Sequence, residues 1–141
     1  MTIQSQSQRV SSFLIANAAY GVYTPPVIGA AILEVIVVQA AAAAMSVGLG
    51  RPVTAGTPTG AMVFQQDDLA DPPSVTNGHI SWLVQPTAPA VFHRRWNSAA
   101  VIGMGIVWTF RRGLNIAGGS SMVLWNITAT QAMDVNVVID S

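Results

Sequence analysis

From Val101 to Phe110 every second residue is apolar: Ile102, Met104, Ile106, Trp108 and Phe110 follow one another without a break. Side chains alternate between the two faces of a β-strand, so this row lines one face of a strand and does not fit a helix. Gly103 and Gly105 fall on the opposite face, where they leave room for a close neighbour or for curvature. The same alternation returns near the C-terminus. Val135, Val137 and Ile139 alternate with Asp134, Asn136 and Asp140, and Val123, Trp125 and Ile127 share a face within Ser121–Thr128. Ala129–Gln131 between these two runs predicts a hairpin joining them.

Upstream, Ile32–Gln39 is almost wholly apolar, as in a strand covered on both faces. The run from Val27 to Gly50 is too interrupted for a membrane helix: Glu34 and Gln39 break it, and neither flank carries a basic cluster. Ala40–Ala44 favours helix by propensity, but Gly48, Gly50 and Pro52 follow closely, so Ala43–Leu49 is read as a strand of small residues. Weaker strands are expected at Ala61–Gln65, His79–Val84 and Val91–Asn97. Proline and glycine punctuate the connections, and Asn77-Gly78 is the strongest tight-turn signal. About eight strands with frequent turns predict an all-β fold, an antiparallel jelly roll or β-sandwich. Residues 13–141 form a single domain in this reading. Met1–Ser12, polar and rich in Gln and Ser, reads as an extended N-terminal arm that orders against a partner.

Composition narrows the function. Only 9% of residues are charged, where about 25% is usual, and six arginines balance six acids to a net charge of zero. So neutral a surface attracts nucleic acid weakly and offers little self-repulsion. With 51% hydrophobic residues, the chain is expected to hide part of its surface in an assembly. The absence of cysteine excludes disulfides, thiolate metal sites and cysteine nucleophiles.

Candidate chemistry is sparse. His79 and His93 stand in no ligand spacing, and a metal site would need the fold to bring them to Asp67 or Asp68. Asp67, Asp68 and Asp71 precede Pro72-Pro73 without the spacing of a calcium loop, and read as a solvated acidic turn. No nucleophile elbow or phosphate loop is present. Asn126-Ile127-Thr128 matches a glycosylation acceptor, a pattern common by chance. Trp108 and Trp125 lie on apolar rows and read as core. Trp82 and Trp96, with Tyr20 and Tyr23, could form a sugar-stacking surface. The basic pairs Arg94-Arg95 and Arg111-Arg112 suit an interface, because guanidinium groups bind carboxylates bidentately. Strand alternation would send Arg94 to the face of Phe92 and Trp96, and Arg95 to the other.

Three stretches, Phe110-Arg111-Arg112-Gly113-Leu114-Asn115-Ile116, Gly118–Asn126 and Val135–Asp140, resemble the end of small jelly-roll structural proteins of tailed bacteriophages. Leu33–Gln39 and Val47–Pro52 fit the same pattern, so the resemblance spans about two-thirds of the chain. It implies a virion component made in a bacterial cytoplasm: a non-enzymatic capsid decoration or cement protein, often a homotrimer, with the major capsid protein or another virion protein as partner. No cofactor, metal, nucleic acid or membrane partner is expected. Arg94, Arg95, Arg111, Arg112, Trp82 and Trp96 are the candidate interface. The alternatives are a tail, collar or fibre component, a carbohydrate-binding β-sandwich module, and a cupin-like metal enzyme.

Overall fold

The computed structural model describes residues 2–11, 16–128 and 132–141. Within them the chain is all-β, with thirteen strands and no helix. Eight are five residues or longer: β1 (Ile3–Val10), β2 (Asn17–Tyr23), β3 (Ala30–Gln39), β4 (Ser46–Gly50), β10 (Phe92–Asn97), β11 (Gly105–Ile116), β12 (Ser121–Thr128) and β13 (Met133–Asp140). Five short ones lie between β4 and β10: β5 (Thr57–Thr59), β6 (Met62–Val63), β7 (Gln65–Gln66), β8 (Asn77–His79) and β9 (Ser81–Val84).

The pairing has a simple logic. β1 pairs with β13, β2 with β12, β3 with β11 and β4 with β10, all antiparallel, so the first half of the chain lies against the second like one long hairpin. That hairpin is rolled into two sheets ordered β11-β3-β13-β1-β7 and β10-β4-β12-β2-β8-β6. Successive long strands therefore alternate between sheets, except β4 and β10, which flank the middle of the chain. The inner faces enclose one core that includes Ile32, Val35, Val37, Val47, Leu49, Trp108, Leu124, Val135, Val137 and Ile139. Burial of these alternating residues drives the two sheets together.

The run from Val27 to Gly50 supplies β3 and β4, and no helix of the described residues is long and apolar enough to cross a membrane. The alanine run is neither helix nor strand. Gln39 folds back over it, and its amide donates to the carbonyls of Ala41 and Ala43, leaving the strand to begin at Ser46.

Three expectations are corrected. Ile3–Val10 is not a loose arm but β1, paired along its whole length with β13. Its inward residues are Gln4, Gln6, Gln8 and Val10, so the alternation is present but written mostly in glutamine. Burial is tolerated because the amides find partners: Gln6 donates to the Met62 carbonyl at 2.9 Å and accepts from the Tyr20 hydroxyl at 2.5 Å. Burial also pushes the Tyr20 hydroxyl pKa well up. Secondly, β12 and β13 do not pair with each other. They belong to different sheets, and the predicted hairpin residues 129–131 lie outside the described residues. Thirdly, Asn77-Gly78 is not a turn but part of β8, opposite Tyr23 and Val22. A Cβ on Gly78 would sit 2.0 Å from Gln6 Oε1 and 2.5 Å from the Tyr20 hydroxyl, so the glycine serves close approach.

Candidate interaction surface

The outer face of the second sheet is covered by the chain itself. Ala18, Val123 and Trp125 form a small outer cluster under Trp82, Phe92 and Ile127. Trp82 Nε1 donates to the Tyr23 hydroxyl at 2.9 Å, and that hydroxyl donates to the Ala55 carbonyl at 2.6 Å. The Tyr23 ring meets His79 edge to face at 5.2 Å, and His79 Nδ1 lies 2.9 Å from the Thr59 carbonyl. Trp82, Tyr23 and His79 therefore tie the β5–β9 ribbon to the sandwich. Tyr20 is buried at 2% exposure and cannot stack on a sugar.

Among the described residues no such cover lies on the outer face of the first sheet. Its register places Val107, Ile36, Asn136 and Ser7 in one row and Thr109, Glu34, Val138 and Ser5 in the next. The first row grades from aliphatic at β11 to polar at β1, whereas the second mixes polar Thr109, Glu34 and Ser5 with Val138. Among the described residues, Arg9 and Asp134 form the only ion pair, on the polar side. Arg9 holds the Asp134 carboxyl below the usual carboxylate range, chiefly through their hydrogen bond.

The remaining arginines gather at one lateral margin, where β10 and β11 are the outermost strands of the two sheets. Arg94 lies over the Phe110 ring at 4.9 Å and ties one edge strand to the other. Its predicted grouping with both Phe92 and Trp96 is corrected by a bulge. Phe92 pairs with Gly50 and Arg94 with Leu49, so His93 is an extra residue and the alternation flips there. Trp96 faces the core beside Arg94, whereas Phe92 faces outward with Arg95, whose guanidinium lies 5.6 Å from its ring centroid. Trp96 is consequently half-buried against the core.

Arg111 and Arg112 sit in a second irregularity, between Thr109 and Leu114, where Gly113 takes φ 73°. Only a residue without Cβ adopts that left-handed conformation at no steric cost. Both arginines are exposed. Sequence reasoning passed over Arg51, which follows β4 directly. It donates through Nη1 to His93 Nε2 at 2.9 Å and through Nη2 to the Asn115 carbonyl at 2.7 Å. Because a guanidinium only donates, His93 Nε2 must accept, and the ring proton sits on Nδ1.

Partial burial, then the charges of Arg51 and Arg94, lower the His93 pKa below the ordinary histidine value. A group with a depressed basic pKa binds fewer protons folded than unfolded, so His93 favours folding above the unfolded value and opposes it as pH falls. An NMR titration should place His93 below a free histidine, and Arg51→Ala should move it upward. An unchanged midpoint in the variant would refute the Arg51 contact.

His79 and His93 stand in separate environments, one against the β5–β9 ribbon and one at the β10 edge. Asp67 accepts from Ser5 Oγ at 3.0 Å, and Asp68 Oδ1 accepts the Ala70 amide at 2.9 Å. Among the described residues no three His, Asp or Glu side chains converge as a metal site.

No described protein family and no curated protein matches the chain. Among solved structures, the tobacco streak virus coat protein dimer aligns over 99% of this chain and 86% of that chain, at 11% identity and a TM-score of 0.29. That likeness is too slight to bear on fold or function.

Proposed function

We propose that this chain is a structural component of a virion, a jelly-roll protein of the bacteriophage decoration or cement type that binds other subunits and catalyses no reaction. The observation that carries this reading is the rolled hairpin of eight long strands with one lateral margin left bare. Pairing first strand with last, and alternating the pairs between two sheets, supports a jelly-roll winding, an architecture common in capsid proteins. The resemblance of Phe110–Ile116 and Val135–Asp140 to phage jelly-roll proteins points the same way. Low charge and exposed aliphatics such as Val107, at 54% exposure, suit a surface that other protein covers. Each docked copy would bury aliphatic surface, with arginine–carboxylate pairs fixing orientation.

The test is to purify the particles made by the genome that encodes the chain and quantify their proteins by mass spectrometry. The chain is expected at a fixed ratio to the shell protein and to persist through density-gradient sedimentation. Its absence from such particles would overturn the reading.

A further inference from the structure

Five of the six arginines and three of the six acids of this neutral chain lie at opposite margins of the sandwich. Arg51, Arg94, Arg95, Arg111 and Arg112 lie at the β10–β11 margin, and none has an ion-pair partner among the described residues. Asp67, Asp68 and Asp71 lie just beyond β7 at the opposite edge of the first sheet. There the Asp67 amide extends the pairing by donating to the Ile3 carbonyl. Glu34 is one strand in from the basic margin, opposite Thr109, and forms no ion pair. Four strand spacings separate β11 from β7, about 19 Å at ~4.8 Å each. That exceeds the screening length of ~8 Å at physiological salt, so the two groups do not neutralise each other within one molecule.

Their shapes also differ in kind. The acidic side is a projecting loop whose tip, Leu69, is 88% exposed and flanked by the three carboxylates. The basic side is a strand edge: among the described residues β11 pairs only with β3, and at its far end the Asn115 carbonyl accepts from Arg51. Exposed Ile102 and Met104 directly precede β11 and Val107 lies on it, before the arginines begin. Edge strands left open in this way ordinarily invite another chain.

We infer that the β10–β11 margin docks the 67–71 loop of a second copy of this chain, head to tail. Leu69 seats on the aliphatic part of the edge while Asp67, Asp68 and Asp71 meet the arginines. Because the two surfaces differ, each copy has one free donor side and one free acceptor side, and the contact generates a closed ring or an open string. This deepens the assembly role proposed above and names the self-contact it uses.

The experiment uses the full chain at low and at physiological salt, with mass read by light scattering. The unaltered chain is expected to exceed one chain mass, more so at low salt. Arg111→Ala/Arg112→Ala and Asp67→Asn/Asp68→Asn should each weaken association roughly tenfold, with melting temperatures unchanged. The asparagines retain the acceptor atoms that bond Ser5 and Ala70. A one-to-one mixture of the variants retains one intact contact, and should stop at two chain masses. An unaltered chain that stays a monomer, variants that associate normally, or a mixture that stays monomeric would each overturn the inference. So would a monomer whose arginine edge retards a random single-stranded oligonucleotide, which would assign that edge to phosphates instead. Presence of the chain in purified particles is measured separately, so failure of the self-contact leaves the virion reading standing.

Discussion

Replacing Phe64 by alanine is expected to destabilise the fold by about 3–5 kcal/mol, the usual result of emptying a buried aromatic site. The ring is 1% exposed and lies between two strands of only two residues each. β6 on one side of it belongs to the second sheet through β8, and β7 on the other belongs to the first sheet through β1. Phe64 is therefore the side chain by which one short segment closes the acidic margin of both sheets. Two-residue strands supply few ladder hydrogen bonds, so nothing nearby compensates for the lost burial. A domain of this size usually holds about 5–15 kcal/mol in total, and the loss would take a large part of it. Thermal denaturation followed by circular dichroism should show a melting temperature lower by about 10–20 °C. A fall of only a few degrees would mean that the site collapses around the smaller residue, and that the 65–71 segment is held by other contacts.

How much of this was legible beforehand depends on what the inward residues are made of. β3 and β13 announce themselves because their inward positions are mostly aliphatic, and β12 through the row Val123, Trp125 and Ile127, which the structure turns to the outer cluster and not to the core between the sheets. β1 uses the same period of two, but Gln4, Gln6 and Gln8 occupy three of its four inward positions, and composition alone then reads as an arm. β2 is illegible for the opposite reason: Ala18 to Val22 are all buried, since Trp82 and neighbouring residues cover its outer face, so no alternation survives. The row at Val101–Phe110 is legible, yet the strand begins only at Gly105: the chain turns before it, with Gly103 and Met104 exchanging backbone hydrogen bonds with Gln39 at the end of β3. Gly103 takes φ 88°, and Ile102 is left 65% exposed. Period alone cannot reveal a turn that a glycine imposes.

The candidate interface was half visible in the same sense. Arg94, Arg95, Arg111 and Arg112 stand out as basic pairs in a chain without lysine. Which way they face was not readable, because both pairs lie at bulges, and a bulge reverses alternation without a distinctive residue type. Nor could the sequence show that they collect at one margin while Asp67, Asp68 and Asp71 occupy the other. That separation arises from strand order, which joins residues far apart in the chain.

The bulge at His93 also makes a glycine indispensable, and this yields the second large effect. Gly48 lies on the outer face of β4, opposite Arg95 on one side and Trp125 on the other. A Cβ there would stand 2.5, 2.8 and 2.9 Å from three atoms of the Phe92 ring. A ring cannot yield as a flexible chain end does, so Gly48→Ala must push Phe92 off the outer cluster or β10 off β4. Overpacking of this kind costs about 1–3 kcal/mol, and Gly48→Val should lie at the upper end or beyond. Phe92→Ala alone should cost a similar amount by uncovering Val123 and Trp125. With the ring gone there is room for the new methyl group, so the double variant should be little worse than Phe92→Ala. Urea denaturation of the three variants gives the coupling directly. Strict additivity would show that Gly48 acts on something other than Phe92. The expected non-additivity would show that the bulge turns Phe92 outward onto a glycine floor, and that Arg95 reaches the basic margin across that ring.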